Sequence, residues 1–407
     1  MATGIFRHNF PQVDELQKKA DEADFVIGLD LHKKTTAITV VDVNRQEKPV
    51  FQRKRLKNSE LMEVLLRFQG KKMIIAEAAY GWFPLRRAFE GIRDITFVLF
   101  DPRKTSAWIK TSGIKNDRID SEVLAYSCLK GGLPALAVYM PDELYRSRFK
   151  LVSFRDHLVS QRTRVKNQLK AIERDYGVNT YTGEVIDLPD EAVFMRDLLE
   201  GQLEDLNHRV QETEKKIAKV SQGDPAVALL RSVPHIGPIT AFALRCKMEN
   251  VKRFQSAKHL CSYFGFGIRQ RQSGDGNFTG KLTKQGNSLI RKLLIQGAQG
   301  LRSNYPDYPQ LYFPQLGRPG QTQNRKHANK LAAAIARKHL TFVYYAWKNA
   351  RPFEIKVYRE LRREQQRQQQ EFTESKNPRP LNGKEGDAGF KTADPDYALG
   401  SNAVLTV

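Results

Sequence analysis

Apolar and polar positions first fall into a regular pattern at Phe25. FVIGLD (25–30) is an apolar run ending in an acid, HKK turns, and TTAITVVDV (35–43) alternates as a second strand. A third strand is expected near PVFQRK (49–54), followed by a helix opened by Asn58-Ser59 and closed by Gly70. KMIIAE (72–77) repeats the buried-strand pattern and again ends in an acid. A helix through Pro84-Leu85-Arg86 and a strand ITFVLF (95–100) come next. Three strands joined by turns, then strand–helix alternation, predict an α/β domain around a central sheet over 25–141. Residues 1–24 read as a polar leader with a short helix and no apolar signal core.

The period then changes. Leu144, Leu151, Leu158, Val165 and Ile172 recur every seven residues, with Arg148, Arg155 and Arg162 on a neighbouring stripe. After a turn-rich break, Leu203, Leu206, Val210, Thr213, Ile217 and Val220 alternate in threes and fours. Two long helices with heptad seams predict a helical hairpin or coiled-coil spacer over 142–222. The arginine stripe fits a nucleic-acid backbone and fits a solvated charged face equally well. From 223 to 360 a mostly α-helical segment is expected. It opens with LLRSVPHIGPITAFAL, a helix–Gly-Pro–helix pattern like a helix-hairpin-helix, and continues with helices near 256–263, 288–300 and 324–348. Beyond 361 the sequence is polar and of low complexity, and disorder is expected.

Charge narrows the partner. Lys and Arg number 67 against 45 Asp and Glu, a formal net charge of +22 spread along the 407 residues. Such an excess suits a polyanion, because neutralising phosphates releases condensed counterions. No apolar stretch is long enough to span a bilayer, so a membrane partner is not expected. Cys128, Cys246 and Cys261 form no Cys-x-x-Cys pair, which argues against a zinc site or a disulfide framework and points to a reducing cytoplasm. The histidines, His32 among them, show no metal-ligand spacing and read as surface or packing residues. Tyr305, Tyr308 and Tyr312, set among prolines, read as packing before base stacking.

Four acids stand where strands end or a helix begins: Asp30, Glu77, Asp117 and Asp120. Asp117 and Asp120, three apart at a helix start, share a helical face. Hard cations take oxygen ligands, so carboxylates gathered from separate elements suit magnesium and phosphodiester chemistry. Each acid alone has a plain reading: Asp30 as a turn residue, Asp117 as an N-cap, Asp120 as a partner of the helix dipole. Glu77 resists one, because it follows a buried run where an unpaired carboxylate is costly.

A second signal lies at FGFGIRQRQSGDGNFTGKLTKQGNSLIRKLL (264–294). An extended 268–273 would alternate Arg269, Arg271 and Ser273 onto one face, with Lys281, Lys284, Arg291 and Lys292 adding positive charge. An exposed alcohol flanked by cations suits attack on phosphorus, although Ser-Gly is also an ordinary loop signature. Thr283 and Ser288 are secondary candidates, Ser288 with the look of a helix N-cap.

GLDLHKKTTAITVVD, AEAAYGWF and KNDRIDSEVLAY, with acids spaced forty-seven, forty and three apart, resemble the RuvC-like domain of the DEDD transposases of the insertion-sequence-110 family. The stretch from LLRSVPHIGPITA through RQSGDG to LTKQGNSLIRKLL resembles that family's C-terminal transposase domain. The likeness covers roughly residues 25–350. It departs at Ala78-Ala79 and at Asn116, neither of which is a proposed ligand. It implies a ribonuclease H-like fold, Mg2+ on Asp30, Glu77, Asp117 and Asp120, and Ser273 as nucleophile of a 5′-phosphoserine intermediate. It also implies DNA partners, a homo-oligomer (dimer or tetramer) and, in some members, a structured guide RNA. Competing expectations are a Piv-type DNA invertase, a RuvC-like nuclease or junction resolvase without a covalent step, and a non-catalytic nucleic-acid-binding derivative.

Overall fold

Both acid-terminated apolar runs lie at the centre of one mixed sheet. The computed structural model describes residues 13–46, 48–111, 116–177, 188–273, 276–304 and 325–354. Contacts divide the chain into Met1–Pro141 with Arg253–Gln255, and Asp142–Lys252 with Ser256–Val407.

In the first unit, α1 (Val13–Asp21) precedes β1 (Phe25–Leu31), β2 (Thr35–Asp42) and β3 (Phe51–Lys57). α2 (Leu61–Leu66), β4 (Lys72–Glu77), α3 (Trp82–Ala88), β5 (Ile95–Phe100), α4 (Pro102–Thr111), α5 (Asp117–Ser127), α6 (Leu133–Leu136) and β6 (Ala137–Val138) follow. The strand order is β3-β2-β1-β4-β5-β6. β1, β2 and β3 are antiparallel neighbours, β1 to β4 and β4 to β5 are parallel, and β6 closes antiparallel. This mixed sheet is compatible with the ribonuclease H-like domain that the resemblance implies. β3 starts two residues later than the sequence pattern places it. The helix expected from Asn58 to Gly70 is a single 3-10 turn (Asn58–Glu60) and the short α2, while α4 and β6 had no clear sequence signal.

Alternation along each strand builds two cores, one on each face of the sheet. Val26, Met73, Ile75, Val98 and Phe100 pack with Leu124 and Ala125 of α5. Ile27, Leu29, Ile74, Ala76 and Leu99 pack with Leu61, Val64 and Leu65 of α2 and with Phe89. Gly28 belongs to the α5 face, and a Cβ there would stand 1.9 Å from the Ser121 carbonyl oxygen and 2.8 Å from the Ala125 nitrogen. The helix backbone therefore rests directly on β1. Beside it, the buried hydroxyls of Thr39 and Ser121 hydrogen-bond at 2.8 Å, and Gln52 donates to both Thr39 (3.0 Å) and Glu122 (3.2 Å).

In the second unit, α7 (Glu143–Tyr176) and α8 (Asp190–Ser221) form an antiparallel pair. Arg155 bonds Glu214 (Nε to Oε1, 2.8 Å) and Arg162 bonds Asn207 (3.4 Å), so one helix is read upward as the other is read downward. Leu158 and Val165 meet Leu206 and Val210 along the expected seam. Leu144, the first residue of the α7 series, is exposed, and Phe149 and Val152 are buried in its place. A strict seven-residue repeat drifts around a helix of 3.6 residues per turn, and at this end α7 also packs on α10.

α9 (Pro225–Arg231) and α10 (Pro238–Met248) are joined through the His-Ile-Gly turn. Asp224 caps α9 by accepting from Ala226 N (2.9 Å) and Val227 N (3.3 Å), and its other oxygen takes a bond from Arg245. α11 (Ala257–Tyr263), the hairpin β7 (Ile268–Ser273) and β8 (Gly276–Leu282), α12 (Ser288–Asn304) and α13 (Arg325–Lys348) complete the unit. Phe242, Phe264, Phe266, Leu294, Leu340 and Tyr344 are buried here. The three cysteines are buried and free, and no described helix is long and apolar enough to cross a membrane. The segment beyond 361 and Tyr305, Tyr308 and Tyr312 lie outside the described residues.

The contact at Gly28 makes a direct prediction. Gly28→Ala forces α5 away from the sheet, and overpacking of this kind costs about 3 kcal/mol. Urea titration followed by circular dichroism should show the midpoint fall. An unchanged midpoint would mean that α5 does not rest on β1 in this way.

Candidate active site and metal centre

Sheet register brings the first two acids together. β1 and β4 run parallel from the pair Phe25–Lys72 to the pair Leu29–Ala76, and Asp30 and Glu77 are the next residue on each strand. Both alternate with residues of the α5 face: Asp30 with Val26 and Gly28, Glu77 with Met73 and Ile75. The C-terminal ends of adjacent parallel strands are where open α/β sheets place ligand sites.

α5 supplies the other two. Asn116, in extended backbone, caps the helix by accepting from Ile119 N at 3.0 Å. The capping role open to Asp117 in the sequence thus falls to its neighbour, and the Asp117 carboxylate lies 3.4 Å from the His32 ring. Asp117 and Asp120 occupy the first turn, where the helix dipole favours negative charge. Ser121, next in the chain, is the residue whose carbonyl sits over Gly28. One glycine contact therefore sets the height of both acids above the strand ends.

The electrostatics of the cluster follow from this crowding. Desolvation is the largest influence on Asp30 and raises its carboxyl. His32 opposes the shift, while Asp120, Asp117 and Glu77 add to it, and the result is a carboxyl pushed up to about 6. Glu77 is held from the side by α4, where the buried Thr105 hydroxyl donates to its Oε1. Asp101 caps α4, accepting from Arg103 N at 3.0 Å and pairing with the Arg103 guanidinium at 2.8 Å, so Thr105 stands on a fixed helix end. Carboxylate oxygens of Asp30 and Asp117 and the His32 nitrogen lie within 4.8 Å of one another and fit a divalent cation, with Glu77 and Asp120 near enough to raise the Asp30 carboxyl.

His32, which reads in the sequence as a surface or packing residue, joins the cluster. Its Nε2 lies 3.4 Å from Asp30 Oδ2 and 3.4 Å from Asp117 Oδ2, and the three donor atoms fall within 4.8 Å of one another. The signal was Asp-x-His at a strand end. Scanning histidines for spacing to other histidines or cysteines passes over a histidine whose partners are acids.

The basic candidates divide. Arg155 and Arg162 are turned toward α8 and are engaged with Glu214 and Asn207, so neither is a free stripe along the helix surface. Arg148 lines a cleft of about 700 Å3 with Asp224, Arg245, Glu249 and Trp347. Arg291 donates to the carbonyls of Phe264 (3.3 Å) and Gly286 (3.0 Å), and Lys292 pairs with Asp156 at 2.6 Å. Lys284 is exposed in a loop at positive φ. Residues 268–273 are extended, as expected, and Ser273 ends β7 paired with Gly276 across the hairpin. A register shift falls between Ile268 and Gln270. The side chains of Arg269, Arg271, Ser273 and Lys281 lie outside the described residues. The N-cap of α12 is Asn287, which accepts from Ile290 N at 3.0 Å, and Ser288 is the first helical residue.

An acid cluster at parallel strand ends on a mixed α/β sheet defines a class: a candidate divalent-cation centre of the kind used on phosphodiesters. Comparison with known proteins narrows the class to a family. Residues 27–176 match the DEDD transposase profile of IS110 elements, and residues 227–312 match the profile "Transposase IS116/IS110/IS902 family". The chain belongs to the IS110 family of transposases. It is similar to the transposase for insertion sequence element IS1111A of Coxiella burnetii, 21% identical over 78% of this chain and 88% of that protein. It is also similar to the transposase for insertion sequence element IS1328 of Yersinia enterocolitica, 26% identical over 59% of this chain and 73% of that protein. A third relative is the pilin gene-inverting protein of Moraxella bovis, 26% identical over 64% and 75%. Membership makes the chain a DNA-binding enzyme that cleaves and recombines DNA.

Asp30 ionises near 3.8 as a free residue and near 6 in the fold. The cation-free fold is therefore favoured at low pH and loses that contribution as pH rises through about 6. In chelator at pH 7.5, Asp30→Asn should raise the melting temperature by about 2–4 °C, and at pH 4 it should not. Thermal denaturation with and without Mg2+ checks this. A lower melting temperature for the variant in chelator at pH 7.5 would show that the acids do not repel one another there.

Proposed function

We propose that this protein is an insertion-sequence transposase that breaks and rejoins DNA through a covalent phosphoserine. Asp30, Glu77, Asp117 and Asp120 hold Mg2+, and Ser273 is the nucleophile. The observation that carries the reading is the meeting of all four acids at the ends of β1 and β4 under the first turn of α5. When bound, the cation neutralises charge at the scissile phosphate.

The chain's own groups do the rest. Thr105 holds Glu77 by its hydroxyl, and Asn116 takes over the capping of α5 so that both its acids are available. The Ser273 oxygen bonds to phosphorus as the bond to the DNA 3′-oxygen breaks. The serine proton leaves to a base, the 3′-oxygen takes a proton, and a 5′-phosphoserine remains. The 3′-hydroxyl of a second strand then attacks the same phosphorus and releases the serine. Each step exchanges one phosphodiester for another, so rejoining needs no ATP. Support for Ser273 comes from the family likeness around RQSGDG and from its place at the end of β7, paired with Gly276 of β8. The basic side chains Arg269, Arg271, Lys281 and Lys284 suit the surrounding phosphates, and Arg148 the wider backbone. The net charge of +22 suits DNA ends, target DNA and a structured guide RNA held by a homo-oligomer.

A second reading, site-specific inversion by the same residues, is favoured by the likeness to the pilin gene-inverting proteins. Covalent trapping tests the chemistry common to both. The protein is expressed with its flanking noncoding DNA, denatured, and assayed for DNA linked to protein, in wild type, Ser273→Ala and Asp117→Ala. A link is expected only in wild type with Mg2+, with at least about a hundredfold loss in either variant. Mg2+-dependent cutting that persists in Ser273→Ala without any link would make the protein a RuvC-like nuclease.

A further inference from the structure

We propose that His32 is a ligand of the divalent cation and that its imidazole nitrogen biases the centre toward manganese over magnesium. The proposal rests on the reading of Asp30, Glu77, Asp117 and Asp120 as the cation centre.

Geometry carries it. Two ligands on one ion with bonds of about 2.1 Å stand about 3.0–3.4 Å apart at octahedral or tetrahedral angles. His32 Nε2 stands 3.4 Å from Asp30 Oδ2 and 3.4 Å from Asp117 Oδ2, so one ion can reach all three donors with small side-chain adjustments. The imidazole is also held by its own backbone. The His32 amide donates to Thr35 O at 3.0 Å, and its carbonyl accepts from Asn58 Nδ2 at 3.2 Å. The Asn58 backbone amide donates to Lys34 O at 3.2 Å, and the Asn58 side-chain oxygen accepts from Thr36, so the β1–β2 turn is fixed at several points. The His32 side chain is 43% exposed, which leaves its ring in reach of an ion arriving from solvent.

Ligand chemistry then sets the preference. Mg2+ demands oxygen donors and gives up its waters reluctantly. Mn2+ shares its taste for carboxylates, but as a transition metal it accepts an imidazole at less cost. A centre of carboxylates alone would treat the two ions more evenly than one with a nitrogen beside them.

Pulsed EPR of the full-length protein loaded with one equivalent of Mn2+ reads the nitrogen directly, without any turnover. A 14N coupling is expected in wild type and not in His32→Ala, which still binds Mn2+ through its acids. The ratio of Mn2+ to Mg2+ affinity should fall by at least about tenfold in His32→Ala, the scale on which even groups behind the ligands act. Mn2+ bound in wild type without a 14N coupling, or a coupling that survives in His32→Ala, overturns the role of His32 and leaves the carboxylate centre standing. Mn2+ binding unchanged in Asp30→Asn and Asp117→Asn overturns the carboxylate centre itself.

Discussion

The backbone of α5 lies against the backbone of β1 at Gly28, and the geometry of the whole acid cluster depends on that contact. Any side chain at this position would lift the helix, because the space a Cβ needs is filled by the Ser121 carbonyl. Packing alone would let the helix slide along the strand. The buried hydroxyl pair of Thr39 and Ser121 resists sliding, since a shift of one residue would leave two polar groups without partners in a dry interface. Gln52 extends the same network to β3. A close approach and a polar lock together hold the first turn of α5 over the strand ends.

What is held there is a local excess of negative charge. Asp30 is only partly exposed, faces three other carboxylates, and gains relief from His32. The fold tolerates this because the neighbouring positions spread the load: Thr105 hydrogen-bonds Glu77, the α5 dipole favours Asp117 and Asp120, and Asn116 satisfies the helix end. Local rules broken at one place and compensated around it are what a candidate functional site is expected to show.

The second unit uses charge differently. Several basic residues there are engaged with the protein itself: Arg155 with Glu214, Lys292 with Asp156, Arg245 with Asp224 and stacked over Tyr145. Loops at Gly265 and Gly286 take positive φ, where an added Cβ would meet carbonyls at 2.5 and 2.3 Å. These loops bring the Thr283 amide to the Gly267 carbonyl at 2.7 Å and so fix the base of the hairpin whose first strand ends in Ser273.

The amino-acid sequence alone encodes the strands that carry Asp30 and Glu77 at their C-terminal ends, the helix that starts at Asp117, and the seam of Leu158, Val165, Leu206 and Val210. Period and burial pattern encode those features locally. It also carried the resemblance that points to all four acids and to Ser273. That Asn116 caps α5 while Asp117 faces the cluster emerges from the folded chain, because Asp and Asn are equally good caps in isolation. Tertiary packing likewise turned Arg155 and Arg162 toward α8 and brought His32 between two carboxylates. Those outcomes depend on which elements become neighbours across long stretches of chain, and residue spacing along one element does not record that.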